Sequence, residues 1–219
     1  MTDDPNHSDD QAPQPEPRPL DENGQFSQRI AHQQVSARVP ESVARGVYAS
    51  GSLVINGQHE FIIDFLQSVT RPQQVVVRIV LPPTIVPGLL RAMHQNIKLH
   101  NERFGEIPPL PKPPAGTLAP SVEEIYQQLK LPDEISSGTY ANTVMITHNP
   151  SDFCFDFITG FYPRSTVAAR VYMSGPQVPR LLETLSRSYD QYQQKLAAAR
   201  RKQAEQPPDE DPPRTDRPS

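Results

Sequence analysis

A chain of 219 residues with 26 prolines, 36% hydrophobic residues, one cysteine, no tryptophan and a net charge of −4 is too rich in proline to be folded throughout, since ordinary chains hold about 5%. No apolar run reaches the roughly eighteen residues of a membrane span, and the opening MTDDPNHSDD is acidic where a secretory signal is basic and then apolar, so no membrane contact is expected and the cytoplasm is the expected location. Cys154 has no second cysteine to pair with and stands in the apolar run FCFDF, which reads as packing rather than chemistry.

Taken along the chain, residues 1–37 and 204–219 carry net charges of −5 and −3 and five prolines each, with little that is apolar. Neither stretch can bury enough surface to offset its ordering entropy, so both are expected to be disordered tails. The body between them, residues 38–203, holds seventeen Lys/Arg against thirteen Asp/Glu and is mildly basic at +4. Within it Phe104–Pro120, FGEIPPLPKPPAGTLAP, has six prolines and reads as a stiff extended spacer.

On either side of that spacer the sequence repeats itself at a constant offset of 92. Gly46-Val47-Tyr48-Ala49 matches Gly138-Thr139-Tyr140-Ala141, and Phe61, Asp64 and Phe65 match Phe153, Asp156 and Phe157. Arg78 matches Arg170, Val86-Pro87 matches Val178-Pro179, and Pro40 matches Pro132. No gap is needed, so the loops have equal lengths in the two copies.

Each copy predicts the same elements. A first strand is expected over Gly46–Ile55 and Gly138–Thr147, a second over EFIIDFL and DFCFDFI, and a third over VVVRIVL and VAARVYM, all runs rich in β-branched and aromatic residues. A helix closes each copy through Val86, Leu89, Leu90, Met93 and Ile97, and through Val178, Leu181, Leu182, Leu185 and Tyr189. Because proline is tolerated only in a first turn, those helices are expected to start near Thr84 and Pro176. The first stops at Phe104-Gly105 and the second frays near residue 203. An extra helix is expected over Ser121–Lys130, with Ser121 and Glu124 forming a capping box.

The resulting expectation is an α+β fold of two β-β-β-α repeats, residues 38–105 and 121–203, with the 106–120 linker between them. A three-stranded sheet with one helix makes a thin core, so the repeats are expected to pack on each other with pseudo-twofold symmetry.

The pattern Y-A-[NS], [DE]-F-x-x-D-F, R-[IV] and an L-L helix start resembles domain of unknown function 3467, a family of short bacterial and archaeal proteins. The second copy, with Tyr140-Ala141-Asn142, Asp152-Phe153, Asp156-Phe157, Arg170-Val171 and Leu181-Leu182, fits it more closely than the first, which has Ser50 and Glu60 at the corresponding places. Family members are usually one domain long, so the resemblance implies a tandem version, and it carries no catalytic residues.

The repeated polar residues are Tyr48, Asp64 and Arg78 with Tyr140, Asp156 and Arg170. A turn centred on Arg71 places Asp64 opposite Arg78 on an antiparallel ladder, and the same register pairs Asp156 with Arg170; both read as structural ion pairs, with a ligand or partner groove as the alternative. An odd loop between strands one and two puts Tyr48 on the face of Asp64, and an even loop puts it in the core with Phe65; a core tyrosine is the plainer reading. The six histidines show no ligand spacing and the ten glycines form no phosphate loop, so no metal, cofactor or enzyme activity is expected. What remains is a non-catalytic interaction or scaffolding module that binds another protein. The alternative is a nucleic-acid-associated protein using the basic body, Arg71, Arg164 and Arg200-Arg201-Lys202.

Overall fold

Apolar residues that alternate from Phe61 to Phe65 and from Val75 to Leu81 can bury a common face only as paired strands, and the computed structural model pairs them. It describes residues 37–69, 71–111, 121–161 and 163–205. The two acidic ends and the 112–120 part of the spacer lie outside the described residues; residues 105–111 form neither helix nor strand, and Ile107 packs against the core.

The first repeat runs α1 (Glu41–Ala44), β1 (Val47–Ala49), β2 (Gly51–Asn56), β3 (Phe61–Gln67), β4 (Gln73–Leu81) and α2 (Val86–Phe104). The second runs α3 (Val122–Gln128), β5 (Leu129–Lys130), α4 (Asp133–Ser136), β6 (Thr139–Tyr140), β7 (Thr143–His148), β8 (Asp152–Gly160), β9 (Ser165–Ser174) and α5 (Gln177–Glu205). The fold is α+β and duplicated, as the repeat predicts. Pro87 and Pro179 sit in the first turns of α2 and α5, whose first residues are Val86 and Gln177 rather than Thr84 and Pro176. The capping box forms at α3, which ends at Gln128, and the chain then becomes the short strand β5 instead of staying helical to Lys130. Pro40 and Pro132 turn out to precede the one-turn helices α1 and α4.

The expected single first strand is in each copy two strands, and they belong to different sheets. β1 pairs in parallel with β9 of the second repeat, setting Tyr48 beside Tyr172, while β2 pairs antiparallel with β3 of its own repeat. Likewise β6 pairs in parallel with β4 of the first repeat, setting Tyr140 beside Val80, while β7 pairs with β8. Each third strand would otherwise end its sheet with a row of unpaired N–H and C=O groups, and the exchanged segment takes them up. Only Ser50 separates β1 from β2, and only Ala141-Asn142 separates β6 from β7, so the pairing order returns to its starting point.

The crossover explains the third position of the Y-A-[NS] pattern. The Ser50 hydroxyl accepts from the Ser68 N–H at 2.8 Å and lies 3.3 Å from the Leu66 carbonyl; the Asn142 amide oxygen accepts from the Gly160 N–H at 2.7 Å. A short polar side chain thus ties the leaving strand to the end of β3 or β8. The loop between β2 and β3, residues 57–60, is even, which by simple alternation would put Tyr48 in the core. The change of sheet at Ser50 resets that alternation. Ala49 and Ala141 are buried instead, and Tyr48 and Tyr140 are 44% and 43% exposed, so neither is a core tyrosine.

The interior is one cluster drawn from both repeats. Phe65 and Phe157, each fully buried, meet with ring centroids 5.6 Å apart. The helices reach across as well: α5 lies on β2, where Asn56 Nδ2 donates to Ser188 Oγ at 2.9 Å and Phe61 packs against Tyr192 at 5.3 Å. At the equivalent place α2 lies on β7, with His148 Nδ1 3.2 Å from Asn96 Oδ1 and His100 stacked on Phe153 at 5.2 Å. The helix that closes each copy in sequence thus also reaches the hairpin of the other repeat.

Gly46 and Gly138 open the exchanged strands with φ of 64° and 77°, a region that penalises a side chain. A Cβ on Gly138 would sit 2.7 Å from Val80 Cγ2, and one on Gly46 would sit 2.8 Å from Arg170 Cγ. Gly138→Ala is therefore expected to destabilise the fold by about 2 kcal/mol or more. Gly51→Ala, with no neighbour within 4 Å, is the control, and equal urea midpoints for the two variants would contradict the assignment.

Candidate functional site

β3 and β4 turn Phe61, Ile63, Phe65, Val77 and Ile79 inward, so Asp64 and Arg78 face outward from the same sheet. The register sets them directly opposite, as it does Asp156 and Arg170, which is the pairing the sequence predicts. A bulge in each repeat, between Phe65 and Leu66 and between Phe157 and Ile158, breaks the register one residue later. In both repeats the arginine grips the carboxylate with two parallel bonds, Nε to Oδ1 at 2.7 Å and Nη2 to Oδ2 at 2.8 Å. Its remaining nitrogen, Nη1, donates to the end of the one-turn helix leading into the exchanged strand: Arg78 to the Ser136 carbonyl, Arg170 to the Ala44 carbonyl. The ion pairs therefore brace each repeat's sheet against the segment arriving from the other. Hydrogen bonding to the carboxylate holds both guanidinium groups above their ordinary proton affinity.

Tyr48 and Tyr140 do not join their own repeat's ion pair. Tyr48 lies on the other repeat's sheet beside Tyr172, and Tyr140 stacks on Phe161 with centroids 5.9 Å apart. The residue that does reach an ion pair is one the repeat pattern could not show, Tyr126 on α3. Its hydroxyl donates to Asp64 Oδ2 and accepts from Arg78 Nη2 at 3.1 Å, and the Arg78 guanidinium lies 5.9 Å from the ring centroid. The sequence signals the helix through its capping box, but not where it lands.

Burial pushes the Tyr126 phenol up to about 12, the bond to Asp64 adds to the rise, and Arg78 opposes it. A proton held more tightly in the folded state stabilises it fully below the ordinary phenol value of 10.0, and that contribution is lost as the pH rises towards about 12. Tyr126→Phe is expected to remove this part of the alkaline loss of stability, measured by urea unfolding at steps between pH 10 and 12. Identical pH slopes for the two proteins would contradict the linkage.

The second repeat presents the same face without such a cover among the described residues. A groove of about 390 Å³ opens over Met145, Thr147, Cys154, Asp156, Arg170 and Tyr172. Where the first repeat has Leu53, Ile55, Ile62 and Val80 around its ion pair, these positions hold Met145, Thr147, Cys154 and Tyr172, so the open face is the more polar of the two. Cys154 is half-buried on the groove floor rather than in the core, because it shares the outward side of β8 with Asp156. Burial pushes its thiol up, and the Asp156 charge adds to the rise, so it is held protonated.

The histidines are placed differently from what their spacing suggests: His100 and His148 come together, with centroids 5.6 Å apart, beside Phe104 and Phe153. Burial pushes His148 down, and His100 and Arg103 add to that, which favours the neutral ring. No group of three or more His, Cys, Asp or Glu converges as metal ligands among the described residues, and none of their helices is long and apolar enough to cross a membrane.

No curated protein and no solved structure matches the chain. The family described as "Protein of unknown function (DUF3467)" matches it twice, over residues 4–108 and 113–199. Both matches extend beyond the motif-bearing stretch of strands and helix, and the second takes in α3. The chain is thus a tandem member of the DUF3467 family.

Proposed function

We propose that this protein is a non-catalytic, cytoplasmic interaction module whose second repeat receives a segment of another protein on the outer face of its sheet. The observation that carries this reading is the asymmetry of two otherwise matched ion pairs. Asp64–Arg78 lies under α3, and Asp156–Arg170 lies at the floor of an open groove. The polar groups of that groove suit recognition better than chemistry, because Asp156 and Arg170 are spent on each other and the Cys154 thiol is held protonated. The alternative, a nucleic-acid-associated protein, draws on the basic body and on Arg71 and Arg164 in exposed turns.

Two measurements on the full chain separate the readings. Proteins of its own cytoplasm are captured on the wild type and on Met145→Arg, a change at a 42% exposed position on the groove wall. A partner retained by the wild type and lost by the variant supports the module. Labelled duplex and single-stranded DNA are then titrated at low and moderate salt. Affinity in the micromolar range that falls by orders of magnitude between about 50 and 200 mM salt would replace this reading with the nucleic-acid one.

A further inference from the structure

The two repeats provide a comparison within one molecule: the same Asp–Arg pair, at the same register, with and without a third group. Where the third group is present it is a phenol, and the chemistry explains why. The hydroxyl donates a hydrogen bond to one carboxylate oxygen and accepts one from the guanidinium, so it answers both halves of the ion pair at once. An ammonium could only donate and a carboxylate could only accept. The ring meanwhile lies near the guanidinium, which favours an aromatic over a serine or threonine. The short capped helix α3, leading into the two-residue strand β5 on β4, delivers that phenol.

At the second repeat the strand half of this arrangement is present. Arg38 bridges in parallel to Thr166, matching Lys130 on Gln74 at the offset of 92. The sequence ahead of Arg38 differs from that of α3 at the matching places. Residues 29–38, RIAHQQVSAR, contain no tyrosine, have Gln34 at the place of Tyr126, and have Arg29 and His32 at the places of the capping residues Ser121 and Glu124. The groove itself has gained Tyr172 in place of Val80, an aromatic wall beside Arg170.

We propose that the groove over Asp156 and Arg170 is a docking site for a short, capped, tyrosine-bearing helix of another protein, whose phenol bridges the ion pair as Tyr126 does in the first repeat. This rests on the interaction-module reading and specifies the partner's chemistry.

The probe is a blocked synthetic peptide of residues 121–132, SVEEIYQQLKLP, together with its Tyr126→Phe analogue, added to the full-length protein. Cys154, the single cysteine of the chain, reports occupancy of this repeat alone, since the first repeat has Ile62 at that place. Its alkylation by N-ethylmaleimide is followed by mass spectrometry against peptide concentration. Saturating peptide is expected to slow alkylation at least tenfold, and the phenylalanine analogue is expected to need about tenfold more peptide for the same protection, as loss of a hydrogen bond to charged groups implies. Alkylation unchanged by peptide, or equal protection by both peptides, would overturn the proposal. So would a peptide-free chain in which Cys154 reacts only as fast as the protein unfolds even at a pH that ionises the thiol, because the face would then already be covered by the chain itself. Capture lost in Met145→Arg without peptide protection would leave the interaction module standing and remove only the helix.

Discussion

Phe65→Ala is expected to lower the unfolding free energy by about 3–5 kcal/mol, the usual cost of emptying a fully buried phenylalanine site. Phe65 has no route to partial relief by solvent, since β3 carries it into the centre of the shared cluster, against Phe157 of the other repeat. The more informative result comes from pairing it with Phe157→Ala. Two aromatic side chains in contact are expected to show a coupling of about 0.5–1.5 kcal/mol in a double-mutant cycle. Urea unfolding followed by tyrosine fluorescence and far-ultraviolet circular dichroism should give one coincident transition for all four proteins. Additive losses, or two separate transitions, would mean that each repeat has a core of its own, which contradicts the exchanged strands.

The second large effect is expected at Asp64. Its side chain is completely buried, and that of Arg78 is only 14% exposed, so Asp64→Ala leaves a guanidinium charge without its partner and the Tyr126 hydroxyl without its acceptor. The expected loss is about 3–5 kcal/mol, most of it the penalty of an uncompensated charge rather than the worth of the pair itself. The matched substitution Asp156→Ala should cost less, because Arg170 is 21% exposed and can turn towards water across the open groove. Measured by urea denaturation at neutral pH, an Asp156→Ala loss equal to or above that of Asp64→Ala would contradict the difference between the covered and the open face.

The parts of this fold that were legible in the sequence are those in which local pattern and tertiary position agree. Alternation identified the buried side of β3 and β4, the prolines limited the helix starts, and the arithmetic of a turn at Arg71 placed Asp64 on Arg78 and Asp156 on Arg170. What stayed hidden depends on where a segment goes after it has formed. Ten residues of strand-like sequence look the same whether they stay in one sheet or change sheets at Ser50, and only the short polar residue of the Y-A-[NS] pattern marked the place. The same gap misplaced Tyr48 and Tyr140, because the parity argument assumes an unbroken strand. Tyr126 escaped for a different reason: self-comparison finds what two copies share, and the tyrosine is what they do not share. His100 and His148 lie 48 residues apart and meet only because α2 crosses to the other repeat's hairpin.

The exchange of first strands has a consequence for how such a domain can exist at all. A family member with a single copy would have a sheet missing the strand that closes it and a strand with no sheet to enter, so two separate chains would have to trade segments. Its folding would then be a second-order event, and its melting point would rise with its concentration. Covalent joining of two copies replaces that encounter with an intramolecular one, at an effective concentration on the order of millimolar. The tandem protein keeps its architecture at any dilution, and its two halves, released from being identical, are free to diverge until one ion pair lies under α3 and the other lines a groove.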